Sequence, residues 1–488
     1  MVSVVESQNL SQAKQKINPM KKTLPLLLIP LSVFLYAEPM PEIEQNIPRH
    51  DELPKGRFGQ DESMKVETEE PKTLNLTTEE LLNRPELLER ALDSALNLNH
   101  IDNVRFLLPL YQQLEQTDQI LILYSQAMLA HYDGNLKEAI KCYREIIAQR
   151  PDLTPTRLRL AIVLFEDYQD IAAMDQFEKI NADENLPPQI AAIVSNYRSA
   201  LQQRQSWSVD ANMQYLHDNN INNAPKNRYY GNWVLPEAQK AHGFAYQINA
   251  YKKTPIAKQW FYRIDGNIDH SFYWDAHNYD ELTMRLSAGI GYQNLRTQTL
   301  IQPFFEKKWY GEGVKSYNNL PGIKLSSSHW LSPKWQVNGA IEYSRKHQQQ
   351  YKYLNGDSYS AYANLLYTPS AKQQWLVGAH YNAETAEDNS DAYHRTGVRA
   401  GWGQEWAKGI STFLLFDASD RRYRGDAFLI NTPRQEREYL VHASLWLRNL
   451  HFKGLTPRLV ATWQKRNSNH FAYNYEKSKV FIEVSKKF

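Results

Sequence analysis

The chain has 488 residues, with 56 Lys and Arg against 54 Asp and Glu. A formal net charge of +2 offers no basic field for nucleic acid, and a lone Cys142 excludes an internal disulfide framework or a cysteine-rich zinc site. The mean hydropathy of −0.62 excludes a polytopic helical membrane protein but not a membrane β-barrel, where only alternate strand residues need be apolar.

Residues 1–37 read as a signal peptide. Lys21 and Lys22 form its basic start, 24–35 its apolar stretch, and Leu35-Tyr36-Ala37 a small-residue cleavage site. Met20 stands as an alternative start. No Cys follows the apolar stretch, so the chain is not itself expected to be lipidated. Residues 38–72 mix Pro, Glu and Lys with almost no apolar clusters. Such a segment buries too little surface to offset its ordering entropy, and is predicted to be a flexible periplasmic leader.

From 73 to 205 apolar residues recur at helical spacing. Ala127, Ala139 and Tyr143 return as Ala161, Ala173 and Phe177, all 34 residues on. That is the period of tetratricopeptide helix pairs. The alanines let paired helices approach, Tyr143 and Phe177 fill the gap between repeats, and Gly134 allows the turn. Asp93 and Arg105 stand where small residues belong, which marks the first pair as a divergent cap. A stacked array presents a concave surface for a peptide or protein. A rigid spacer is the plainer reading.

From 206 to 488 the period changes to two. Trp260, Tyr262, Ile264 and Ile268 alternate with Arg263, Asp265, Asn267 and Asp269. Short turns near 255–258, 294–297, 332–334, 369–372, 407–409 and 452–456 alternate with longer polar stretches such as 218–240, 310–320 and 420–434. Fourteen strands follow, from 207–217 to 475–488, with both ends on the short-turn side. Aromatic residues at strand ends fit the girdles of an outer-membrane barrel. In the last strand Val480, Ile482, Val484 and Phe488 share one face and form a candidate barrel-assembly signal. The fold class is therefore α plus membrane β: a helical array in the periplasm followed by a 14-stranded antiparallel barrel in the outer membrane.

The search for chemistry returns little. Asp269-His270-Ser271 places acid, base and nucleophile in sequence, but strand neighbours point to opposite faces. His380, His394 and His442 lack metal-ligand spacing. Gly311-Glu312-Gly313 is a lone Gly-x-Gly with no following helix. Glu405, within Trp402-Gly403-Gln404-Glu405-Trp406, has no convincing carboxylate partner. No catalytic, metal or cofactor residue is assigned. Candidate lumen residues carry both signs: Arg263, Asp265, Arg285, Arg395, Arg399, Arg458, Lys477 and Glu483. They either pair and fill the interior or line a polar passage.

With these parts in place, the chain resembles the surface lipoprotein assembly modulators (Slam) of Gram-negative bacteria, the barrel component of type XI secretion. Leu81-Leu82-Asn83-Arg84-Pro85-Glu86-Leu87-Leu88, the stretch 133–151 and Asn185-Leu186-Pro187-Pro188-Gln189 carry the resemblance in the array. In the barrel it rests on 402–406, on His451-Phe452-Lys453-Gly454-Leu455-Thr456-Pro457-Arg458-Leu459, and on Asn474-Tyr475-Glu476-Lys477 running to Phe488. The resemblance implies a translocator that carries lipoprotein or soluble cargo, such as haem- or iron-carrier-binding proteins, to the cell surface. It implies periplasmic chaperones and the barrel-assembly machinery as further partners, and outer-membrane lipid around the barrel. A polysaccharide exporter shares the architecture, though usually with longer arrays and larger barrels. An outer-membrane hydrolase is the third reading.

Overall fold

The computed structural model describes residues 77–183, 185–450, 452 and 455–487. The signal peptide, the leader, residues 73–76 of the array, and Glu184, His451, Lys453, Gly454 and Phe488 lie outside the described residues.

Thr77 opens α1 (Thr78–Leu82) with a capping box: its hydroxyl accepts from the Glu80 amide, and the Glu80 carboxylate accepts from the Thr77 amide at 2.8 Å. Then come α2 (Pro85–Asn97), α3 (Ile101–Tyr111), α4 (Gln119–Tyr132), α5 (Leu136–Gln149), α6 (Thr154–Glu166), α7 (Asp170–Asn181) and α8 (Pro188–Arg204). Proline at the first positions of α2 and α8 leaves no amide unsatisfied that a helix start would not leave anyway.

Two apolar cores hold the array. Leu88, Leu92, Val104, Tyr111 and Ile122 form the first, and α4 to α8 enclose the second. Ala127, Ala139, Ala161 and Ala173 are fully buried in the second core. Without larger side chains there, the helix pairs close face to face. Asp93 and Arg105 sit at the surface, where Asp93 accepts from Asn97 and Arg105 pairs with Asp133 at 2.6 Å. The first helix pair therefore packs through larger side chains on a different stripe.

Gly134 turns α4 into α5 with φ of +74°. Thirty-four residues on, Tyr168 holds the equivalent turn with φ of +58°. A side chain in that left-handed region costs roughly 1–2 kcal/mol, which Gly avoids.

The barrel strands are β1 (Trp207–Asp218), β4 (Ala241–Ala257), β5 (Trp260–Tyr273), β6 (Glu281–Gln293), β7 (Thr297–Tyr310), β8 (Lys315–Ser332), β9 (Trp335–Gln348), β10 (Gly356–Ser370), β11 (Gln373–Glu384), β12 (Tyr393–Glu405), β13 (Ile410–Asp426), β14 (Pro433–Leu447), β15 (Thr456–Ser468) and β16 (Tyr475–Lys487). A small hairpin, β2 (Tyr229–Tyr230) and β3 (Trp233–Val234), decorates the first loop. The fourteen strands pair antiparallel with their neighbours, and β16 closes on β1. The short turns lie at one end with the start of β1 and the end of β16, and the longer loops at the other.

Strand alternation sets the two faces. Trp260, Tyr262, Ile264, Leu286, Ile341, Val377, Val398 and Leu414 remain exposed on the outside. In water such a belt would be a large unburied patch; against lipid hydrocarbon it is the expected surface. No described helix is long and apolar enough to cross a membrane.

Several strands extend past their predicted ends. The stretch 310–320, read as a loop from its polar composition, is mostly ladder: Lys315–Leu320 lies in β8 and crosses from β7 through a bulge at Lys308/Trp309. Likewise β13 continues to Asp426 and β14 begins at Pro433. Main-chain pairing does not depend on side-chain polarity, and hairpins that rise past the hydrocarbon have no reason to keep apolar residues outside.

Candidate functional site

The array sits on the short-turn end of the barrel. Leu295, in the turn between β6 and β7, packs onto the second helical core. Gln259, in the turn between β4 and β5, donates to Asp167 at 2.6 Å, and Gln169 donates to the same carboxylate oxygen at 2.9 Å. Burial pushes the Asp167 carboxyl above its ordinary value, and the two amide donors pull the other way.

A column of cations and rings continues this junction. Arg204 ends α8 with its guanidinium 3.6 Å from the Phe165 ring centre and 4.5 Å from that of Tyr168. It also donates to the Phe165 carbonyl at 2.9 Å and pairs with Asp170 at 2.8 Å. Lys253 of β4 lies over Tyr168 at 5.1 Å on one side and over Phe261, buried inside the barrel, at 4.1 Å on the other. Gln293 accepts from the Lys253 ammonium. The strained Tyr168 thus holds a ring between a cation of the array and a cation of the barrel.

Above this mouth, apolar and charged side chains line the barrel interior. Leu366, Leu376, Phe413, Leu415 and Trp446 form an apolar cluster on the wall, with Arg458 over Trp446 at 4.6 Å. The candidate lumen residues all lie on inward strand positions. Arg263 pairs with Asp265 at 2.5 Å, and Gln302 donates to Asp265 at 2.6 Å. Arg285 reaches Glu342 at 2.7 Å and Glu306 at 3.4 Å. Arg395 approaches Glu438 at 3.6 Å, Arg399 lies over the Tyr362 ring at 5.5 Å, and Arg458 lies 4.0 Å from Glu483. Lys477 donates to Asn223 at 2.9 Å and lies 3.8 Å from Asp218.

Sequence reasoning missed the densest part of this interior. Glu436 and Glu438 on β14 are buried among Arg395, Arg421, Arg434 and Arg466, with Arg466 to Glu438 at 2.8 Å and Arg434 to Glu436 at 3.0 Å. Arg434 is also held between the rings of Tyr423 and Tyr473, 3.8 Å from each. The signal was present in Arg434, Glu436 and Glu438, three charges at period two on one strand face. Between these groups and β6 lies a cavity of about 280 Å³, walled by Arg285, Lys346, Arg395 and Arg399 and by Glu306, Glu342, Glu384 and Asp417.

The remaining sequence candidates fall as follows. Asp269 lines the cavity, whereas His270 faces outward against Tyr246 at 5.1 Å and Phe272 at 6.3 Å. They do not form a triad with Ser271. Glu405 pairs with Arg448 at 2.7 Å and accepts from Ser411 at 2.7 Å. His380 lies 3.5 Å from Asp417. Tyr143 is buried edge-on to Tyr124 at 5.7 Å, and Phe177 stacks on Tyr197 at 5.2 Å. Val480 and Ile482 are exposed on the outer face of β16, and Val484 takes the next outward position.

Comparison with known proteins covers the chain from the array to the last strand. The family model described as "Surface lipoprotein assembly modifier" matches residues 207–488, and that of its N-terminal TPR repeats matches 74–177. Surface lipoprotein assembly modifier 1 of Haemophilus influenzae is 37% identical over 470 residues, covering 95% of this chain and 97% of the relative. Surface lipoprotein assembly modifier 1 of Neisseria meningitidis serogroup B is 37% identical over 86% of each chain. The hemophilin secretion modulator of Acinetobacter baumannii is 24% identical, over 78% of this chain and 81% of that protein.

Proposed function

The chain belongs to the surface lipoprotein assembly modifier family, and from that premise we propose that it delivers surface lipoproteins, or related soluble proteins that bind haem or iron carriers, from the periplasm to the cell surface. It is an outer-membrane protein, as its fourteen-stranded barrel and its family indicate. In this reading the helical array lies in the periplasm, receives the cargo and hands it to the barrel mouth it sits on. The observation that carries the reading is the array's attachment: Leu295, Gln259 and Lys253 fix a peptide-binding type of scaffold over one end of a charged lumen. The role is non-catalytic, and the placing of Asp269, His270 and Ser271 on alternating faces supports that. The barrel-assembly machinery would recognise Val480, Ile482, Val484 and Phe488, and periplasmic chaperones would bring the cargo.

The test is surface display. A candidate lipoprotein is expressed with and without this protein, and antibody labelling of intact cells is compared at equal total lipoprotein. Labelling that depends on the protein supports delivery. Equal labelling across a panel of lipidated and soluble cargos overturns it.

A further inference from the structure

The barrel is not closed evenly. Strand β1 pairs with β4 along its whole length, from Trp207↔Lys252 to Asp218↔Ala241. On its other side its described ladder with β16 runs only from Asp210↔Lys487 to Gln214↔Glu483. Strand β16 in turn pairs with β15 from Thr456↔Ser485 to Arg466↔Tyr475. The half of the seam nearer the long loops, Tyr215–Asp218 against the stretch 479–482, therefore carries no described ladder pair.

Side chains hold that half instead. Continuing the register would set Asp218 opposite Lys479, and their side chains meet at 3.2 Å, with Lys477 3.8 Å from the same carboxylate oxygen. All three are buried on the inner side. From the first loop, Asn223 accepts from Lys477 and Lys226 donates to Glu476 at 2.6 Å. On the outer side the seam is apolar, with Met213, Tyr215, Val480 and Ile482 exposed.

We propose that the lipid anchor of the cargo leaves the barrel sideways through this upper half of the β1–β16 seam, and this rests on the delivery of lipidated proteins proposed above. Acyl chains need a continuous apolar path, and at this height the buried apolar groups are one small cluster, Leu216, Ile221, Ala241, Tyr273 and Ala276. The lumen is tied across by pairs between non-adjacent strands, Arg285 to Glu342 and Arg395 to Glu438. Parting a complete ladder in hydrocarbon strands a main-chain group on each side of every pair. None of the described ladder pairs of this seam lies in its upper half, and the ions that close it can be met by water or by the polar end of the cargo. The outer walls of the opening already match lipid. Its position near the long loops faces the leaflet in which the anchor of a surface lipoprotein finally resides.

The experiment locks the seam. Tyr215→Cys with Ile482→Cys places thiols across its unladdered half, one step past Gln214↔Glu483. Ala363→Cys with Ala379→Cys, a ladder pair of β10 and β11, is the control lock, and the buried Cys142 is replaced by Ser in both. Surface display of a lipidated cargo and of the same cargo without its lipidation site is measured after oxidation and again after reduction. The proposal expects the seam lock to abolish display of the lipidated cargo alone, reduction to restore it, and the control lock to change nothing. Undiminished display of lipidated cargo through the locked seam overturns it, and so does equal loss of both cargos. A seam variant that fails in its reduced form is replaced by His217→Cys with Val480→Cys, the next outward positions. If the unmutated protein displays neither cargo, the delivery reading itself falls.

Discussion

Arg204 closes the array just before the barrel begins, and its removal has a calculable cost. The guanidinium is a quarter exposed, whereas the Asp170 carboxylate it pairs with is only 5% exposed. Arg204→Ala leaves that carboxylate buried without its cation, removes a donor to the Phe165 carbonyl and empties the face of two rings. Breaking a buried pair from one side costs about 3–5 kcal/mol. Partial exposure of the arginine places this one at the low end, about 3 kcal/mol. The lost ring contacts belong to the same group and are not added separately. Arg204→Ala with Asp170→Asn removes the stranded charge and is expected to recover about 1–2 kcal/mol, within the range of pairwise coupling energies. The assay is urea unfolding of the whole protein in detergent, followed by ellipticity at 222 nm. All 12 tryptophans lie at or after Trp207, so their emission separately follows the barrel. A loss below about 1 kcal/mol, the range of exposed pairs, or a double variant no more stable than Arg204→Ala, would refute the reasoning.

Three other outcomes follow from the geometry. Phe177→Ala empties a fully buried site stacked on Tyr197 and is expected to cost about 3–5 kcal/mol in the helical transition, with tryptophan emission unchanged. Asp167 is held above the ordinary carboxylate value of 3.8, so between that value and its raised one the folded array holds more protons than the unfolded chain. Array stability therefore falls as pH rises through this window, and Asp167→Asn should flatten that part of a urea-midpoint profile; an unchanged slope counts against the buried junction. Glu438→Gln removes a charge shared by Arg395, Arg421 and Arg466. It is expected to destabilise the barrel by about 3–5 kcal/mol, seen as a lower temperature for loss of the compact form in detergent gels. An unshifted transition would mean the arginines are satisfied elsewhere.

The elements were legible because each left a period in the sequence. The 34-residue return of Ala127, Ala139 and Tyr143 marks positions that prove to be buried in one core. Alternation of Trp260, Tyr262 and Ile264 with Arg263 and Asp265 marks a strand with one lipid face and one lumen face. Where both faces are polar, as in 315–320, alternation vanishes and the ladder could not be read. Pairing across the lumen was beyond reach for a different reason. Period two says which way Arg285 points, but its partner Glu342 lies three strands away in the closed wall, and Asp218 meets Lys479 only because the barrel closes. Likewise nothing in the order of residues around Tyr168 announces a left-handed turn; its position was visible only as the place where the repeat's Gly134 fails to recur.

That failure bears on how this architecture can grow. In a stack of like repeats a unit can be copied anywhere, since each contacts only its neighbours. Here the last turn is committed to Lys253 and Arg204 through Tyr168, so a unit duplicated at that end would either lose the attachment or carry a strained tyrosine into the middle of the stack. Lengthening is open only at the far end, before α4, where the helices already depart from the pattern. The array is thus anchored like a bracket, with its reach adjustable at the free end and its footing on the barrel fixed.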